Sequence, residues 1–142
     1  MRLTREEYFM NIALMVAQRS TCERAKVGAI LVDANRNAIV ATGYNGSAPG
    51  APHCIDVGCL IIDGHCHRTI HAEMNAICHL EHSYDNLILY CTHQPCVNCT
   101  KALAAINVRE VRYLHEYNDP IRDAIIEEMV EIKRMKMIKV IL

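Results

Sequence analysis

Within residues 4–20, Tyr8, Ile12, Met15 and Val16 recur at the three-to-four spacing of one helix face. Thr4 stands before this run and Glu7 follows three residues later, the pairing whose side chains reciprocally satisfy the free N–H groups of a helix start. A first helix is therefore expected. The period then shortens: residues 27–32 and 38–44 are apolar runs separated by Asp-Ala-Asn-Arg-Asn, two strands around a turn. Residues 47–69 hold Pro49, Gly50, Pro52, Gly58 and Gly64 and show no sustained period. A loop of about 20 residues is long for a compact domain and predicts a use for it. Beyond it the pattern predicts a helix over 71–80, a strand over 87–92, a helix over 96–106, a strand over 110–114, a helix over 119–136 and a strand over 137–142. Asn107 suits the left-handed position that ends a helix. The last helix places Ile121, Ile125, Met129 and Ile132 on one face, to cover its own sheet or meet a neighbour. The order α-β-β-α-β-α-β-α-β reads as an α/β layered sheet whose later strands, joined by helices, are parallel. With no repeat or linker, residues 1–142 are expected to form a single domain.

Composition narrows the function. Of the 142 residues 51% are hydrophobic and 22% charged, as in a globular protein; Trp is absent and Phe occurs once, so the core must be aliphatic. Fifteen Lys and Arg against sixteen Asp and Glu give a net charge of -1, which argues against binding long nucleic acid but leaves room for a small anion held by a few local cations. No apolar run approaches the roughly 18 residues that span a bilayer, and MRLTREEYFM lacks the apolar stretch of a signal peptide. A cytoplasmic protein without membrane contact is expected, and in a reducing compartment eight cysteines and eight histidines point to metal ligands before disulfides.

The sharpest pattern is His71-Ala72-Glu73 at one predicted helix start and Pro95-Cys96-Val97-Asn98-Cys99 at another. One imidazole and two thiolates supply three ligands to a tetrahedral zinc and leave a fourth position for water or substrate, as a catalytic site requires. Pro95 fits a first turn, where its missing N–H is not needed. Glu73 lies two residues from His71, about 200° around a helix, so it is placed to carry protons beside His71, Cys96 and Cys99 and not to ligate with them. His-x-Glu with Pro-Cys-x-x-Cys is the recognised signature of zinc-dependent nucleobase deaminases.

More of the chain follows the same lead. Ser20-Thr21-Cys22-Glu23-Arg24, then Val27-Gly28-Ala29, Gly43-Tyr44-Asn45-Gly46 and residues 68–77 around the zinc motif together resemble the deoxycytidylate (dCMP) deaminases of the zinc-dependent cytidine/deoxycytidylate deaminase family. The resemblance implies a three-layer α-β-α cytidine-deaminase-like fold with a five-stranded mixed sheet flanked by helices. It implies hydrolysis of dCMP to dUMP and ammonia, supplying thymidylate synthesis, with His71, Cys96 and Cys99 on zinc and Glu73 moving protons to N3 and to the departing ammonia. Asn45 then resembles the residue that holds the sugar, and Arg24 is the candidate for the 5′-phosphate, which a planar guanidinium can grip through paired hydrogen bonds. Ala72, His65 and Tyr117 complete the expected substrate set, with Lys26 and Arg68 as a positive rim.

The resemblance also implies activation by dCTP with Mg2+, inhibition by dTTP and a hexamer. Some relatives carry a second zinc that ties the early cysteine to the long loop; here Cys22 and Cys54 with two of Cys59, Cys66, His53 and His67 are available, Cys59 and Cys66 completing an all-cysteine set. The chain departs from the family in placing Pro49 one position later after the Gly-Tyr-Asn-Gly turn, and in Asn107, where glycine is usual. Two other readings are a zinc deaminase of a different carrier (nucleoside, guanine or tRNA) and a non-catalytic zinc-binding module. Glu73 separates the last from the enzymes, because a structural zinc has no use for an unligated carboxylate.

Overall fold

The computed structural model describes residues 1–132 and 135–142. Helix α1 (Arg5–Ala17) begins at Thr4, whose hydroxyl accepts from Glu7 N–H at 3.1 Å while the Glu7 carboxylate accepts from Thr4 N–H at 3.1 Å. Strands β1 (Gly28–Asp33) and β2 (Ala38–Tyr44) form the expected hairpin. Within the expected loop the chain makes a short helix α2 (Cys54–Val57) and a two-residue hairpin of β3 (Ile61–Ile62) and β4 (His65–Cys66). These were too short to leave a period in the sequence; positive φ at Gly58, Asp63 and Gly64 makes their turns. Then follow α3 (Ala72–Cys78), β5 (Leu87–His93), α4 (Val97–Ala105), β6 (Val108–His115), α5 (Pro120–Ile132) and β7 (Lys136–Lys139). The expected run of the last helix to Lys136 crosses Lys133 and Arg134, which with the Ile132 side chain lie outside the described residues.

The five-stranded sheet has the order β2-β1-β5-β6-β7, with β1 antiparallel to β2 and β5, and β6 parallel to β5 and β7. It is the mixed sheet the resemblance implied. Alternate residues of the central strands serve two apolar layers. Ile30, Val32 and Tyr90 pack with Phe9, Met10 and Ala13 of α1, whereas Ala29, Leu31, Leu87, Leu89 and Cys91 pack with Ala72 and Ala76 of α3 and Leu103 of α4. Ile126 and Met129 bring α5 onto this second layer.

The apolar face read for α1 is rotated in the structure: Tyr8 and Met15 are exposed, and Phe9, Met10, Ala13 and Ala17 are buried. The cause lies on β1. A Cβ on Gly28 would sit 2.1 Å from Ala13 O and 2.5 Å from Ala17 N, so the helix backbone touches the strand through its small residues. Gly43 does the same for α3, where a Cβ would meet Ala72 O at 2.3 Å and Ala76 N at 2.4 Å. Among the described residues no helix is long and apolar enough to cross a membrane.

Candidate active site

Two short motifs far apart in sequence form one support. Ser20 Oγ donates to Asn45 O at 3.0 Å and accepts from Cys22 N–H at 3.2 Å, while Thr21 N–H donates to Asn45 O at 3.3 Å. Gly46 and Ile70 exchange backbone hydrogen bonds of 3.2 and 2.8 Å, so the chain re-enters the fold beside this turn immediately before His71. His71 is the extended residue that opens α3, and Cys96 the extended residue that opens α4.

At these two helix starts His71 Nδ1 lies 3.6 Å from Cys96 Sγ and 3.4 Å from Cys99 Sγ, and the three donor atoms lie within 4.8 Å of one another. A tetrahedral ion with Zn–N near 2.05 Å and Zn–S near 2.3 Å has N···S edges of about 3.6 Å. The donor set and its spacing therefore fit zinc. Cys96 is brought down to about 4, chiefly by the hydrogen bond from Cys99 and further by His71, against the opposing effect of burial. The same hydrogen bond, with burial, pushes Cys99 up. The hydrogen bond to Cys96 raises His71.

Glu73 is 5% exposed, and burial raises its carboxyl above the ordinary carboxylate range. Its Oε1 accepts from the Cys91 thiol at 3.6 Å. Burial drives Cys91 well up, so it remains a donor. Cys91, buried in β5, thus helps to orient Glu73. The sequence offered only a cysteine in a strand, with nothing to mark its partner.

A cavity of about 340 Å³ opens over this cluster, lined by Glu73, His71 and Cys96 together with Arg24, Asn45, His65, Ala72 and Tyr117. All five expected substrate residues are therefore on its wall. The Asn45 amide is already engaged, accepting from Val27 N–H at 2.9 Å and donating to Ala25 O at 2.7 Å, which leaves one N–H and one lone pair for a ligand. Arg24 donates one N–H to Gly64 O at 3.3 Å and keeps its other donors. Arg68 is directed to Gly58 O at 3.1 Å.

His93 and Gln94 also line the cavity and had no sequence signal. Thr92 Oγ1 accepts from Gly28 N–H at 3.1 Å and lies 2.9 Å from His93 Nδ1. Burial, and then the nearby His115, hold His93 below the usual imidazole range, in the neutral form.

In the long loop Cys54, Cys59 and Cys66 bring their sulfurs within 4.8 Å of one another, with Cys54 and Cys66 3.7 Å apart. Cys22 is buried and reaches the cavity wall but is outside that trio. His53 opens α2 with a buried Nδ1 that has no partner among the described residues, and His67 is exposed. Burial and its cysteine neighbours raise Cys54 to about 12. Burial acts upward on Cys66 as well, but N–H groups of Arg68, Leu60 and Thr69 outweigh it and bring that thiol to about 6.

The family described as cytidine and deoxycytidylate deaminase zinc-binding region matches residues 3–115. The chain is 44% identical over 119 residues to the ComE operon protein 2 of Bacillus subtilis (strain 168), covering 82% of this chain and 62% of that protein. It is 37% identical over 123 residues to the deoxycytidylate deaminase of Schizosaccharomyces pombe, covering 80% of this chain and 38% of that one, so it spans less than two thirds of either relative. The crystal structure of the dCMP deaminase of cyanophage S-TIM5 in complex with dCMP and dUMP superposes with a TM-score of 0.78 at 34% identity, over 99% of both chains. Because the family match runs through both halves of the His-x-Glu and Pro-Cys-x-x-Cys pattern to the last residue of β6, the chain belongs to the cytidine and deoxycytidylate deaminase family.

Proposed function

We propose that this chain is a zinc-dependent hydrolase that converts dCMP and water to dUMP and ammonia. The observation that carries the reading is the joint placement of the His71, Cys96 and Cys99 donor set and the buried, unligated Glu73 in one cavity with Arg24 at its wall. It is supported by the cyanophage relative, whose structure holds dCMP and dUMP. Zinc bound by the three donors supplies a Lewis acid that can lower the pKa of water to about 7. Glu73 takes a proton from the attacking water and delivers it to N3 as the bond to C4 forms, then takes the remaining proton of the new C4 hydroxyl and passes it to the amino group as the C4–N bond breaks, leaving the C4 carbonyl and ammonia. Cys91 holds Oε1 of Glu73 in place for this traffic. Asn45 fixes the sugar with its remaining N–H, Arg24 takes the 5′-phosphate, and Ala72, His65 and Tyr117 shape the wall.

The reading extends to a single catalytic domain over 1–142 in the cytoplasm, a product that feeds thymidylate synthesis, and a hexamer activated by dCTP with Mg2+ and inhibited by dTTP. The thymidylate, hexamer and effector readings follow from the dCMP-deaminase resemblance of residues 20–24, 43–46 and 68–77. A second, structural zinc belongs to the same proposal, held by Cys54, Cys59 and Cys66 with Cys22 as the fourth donor.

The test is ammonia release from dCMP, CMP and deoxycytidine by the zinc-loaded protein, with and without dCTP and Mg2+, for the parent and Arg24→Ala. Turnover of dCMP is expected in the parent, and Arg24→Ala should raise KM for dCMP at least tenfold while sparing deoxycytidine, since only dCMP carries the phosphate. Equal losses on both substrates would remove Arg24 from phosphate binding. Silence of the zinc-loaded parent on all three would remove the substrate.

A further inference from the structure

Asp119 immediately precedes α5 and Arg122 lies in its first turn, and neither lines the cavity. Arg122 is 2% exposed, although a buried cation is expensive unless its donors are used. They are used: Nη1 donates to Pro95 O at 3.0 Å, and Nε and Nη2 donate to Asp123 Oδ1 at 3.1 and 2.9 Å. Asp119 divides its carboxylate between two helix starts. Oδ2 accepts from Val97 N–H at 2.8 Å, the first residue of α4, and Oδ1 accepts from Arg122 N–H at 3.0 Å in the first turn of α5. Pro95 and Val97 are the two backbone neighbours of Cys96. The carbonyl before this sulfur-bearing residue and the N–H after it are therefore both fastened to the same turn of α5.

We infer that Asp119 and Arg122 are positioning residues that set the backbone of Cys96, and through α4 that of Cys99, for metal binding. The inference rests on the reading of His71, Cys96 and Cys99 as the zinc ligands. An aliphatic residue of similar volume would fill the space of Arg122 but could not reach Pro95 O, and no backbone group replaces a carboxylate that accepts from two helix starts at once. The loop is aligned further upstream: Gln94 N–H donates to His115 O at 2.8 Å, and the Gln94 side chain accepts from Tyr117 N–H at 3.2 Å. With the chain fixed on both sides of Cys96, its Cα–Cβ bond cannot be redirected without breaking charged hydrogen bonds.

The experiment is zinc affinity of the full chain by competition with a chromophoric chelator, beside the cobalt-loaded absorption spectrum, dCMP kinetics, and melting of the zinc-free and zinc-loaded forms. Groups that orient ligands are typically worth 10- to 100-fold in metal affinity. Asp119→Ala and Arg122→Met should each fall in that range, with displaced thiolate-to-cobalt bands, lower kcat at saturating zinc, and KM for dCMP within about twofold of the parent. Asp119→Asn keeps one acceptor oxygen and should lie between parent and alanine; it decides the matter if the alanine variant does not fold. A purely structural role would lower the melting point of the zinc-free form and leave zinc affinity and the cobalt spectrum unchanged, and that result overturns the inference. A parent that binds zinc with this ranking but turns over no dCMP removes the substrate reading and leaves the positioning role standing.

Discussion

At the scale of single residues the candidate site depends on Glu73 being held and not coordinated. Its carboxylate is buried, accepts from the Cys91 thiol and sits two residues from His71 without joining the three donor atoms. Glu73→Gln keeps the shape and an oxygen for Cys91 but removes the proton-carrying group. Zinc content should stay at the parent value, and kcat for dCMP should fall by roughly 10²–10⁴-fold, the ordinary worth of a general acid–base. Metal analysis and steady-state rates on the same preparation check both halves; a rate within tenfold of the parent would take the proton transfers away from Glu73. The residues that announce this chemistry were legible because their type and spacing are themselves the chemistry: an imidazole, two thiols and a carboxylate at helix starts. Cys91, His93 and Arg122 were not, because each acts through a tertiary contact, and a cysteine or histidine in a strand or an arginine in a helix looks the same with or without that contact.

At the scale of elements the sequence was informative wherever a period or a cap is local. The Thr4–Glu7 box, the β2 boundaries and the left-handed Asn107, whose amide donates to Tyr84 O at 2.9 Å, all fall where they were expected. Which face of α1 turns inward was not legible, because Gly28 on a strand decides it from outside the helix. The equivalent contact at Gly43 has a functional consequence. A methyl group there would meet the α3 backbone at Ala72 and Ala76, neither of which can yield as a flexible side chain could. Gly43→Ala should therefore push α3 off the sheet and destabilise the fold by about 1–3 kcal/mol, the usual range for overpacking. Ala72 lies between His71 and Glu73, so zinc affinity and kcat should fall together in this variant. Denaturant unfolding and chelator competition check the pair of effects, and a loss of stability with an unaltered metal site would show that α3 tilts without carrying its first residues along.

At the scale of the whole molecule the sheet and its helices are held by two apolar layers, but the segment 47–69 is not. Its large apolar side chains Ile55, Val57, Leu60, Ile61 and Ile62 are between 45% and 56% exposed, while Cys54 is 2% exposed. What ties this segment down is a few polar bonds, Ile55 N–H to Thr21 O and Arg24 to Gly64 O among them, and the cysteine trio. If a second zinc sits on those sulfurs, its binding energy acts on a segment that has little burial energy of its own. At a free zinc concentration 100 times the dissociation constant, about 2.7 kcal/mol would favour the closed segment, a factor of about 100 in the population of the open form. Cys54→Ser should then lower the zinc count from two to one per chain and raise the rate of proteolytic nicking within 47–69 by up to about that factor, because cleavage of a locally opened segment follows the open population. Global melting should move little, since neither apolar layer is touched. KM for dCMP should rise, since His65 and the Gly64 carbonyl that engages Arg24 belong to this segment. An unchanged zinc count with unchanged nicking would instead assign the ordering of the segment to its backbone bonds and leave the trio as thiols.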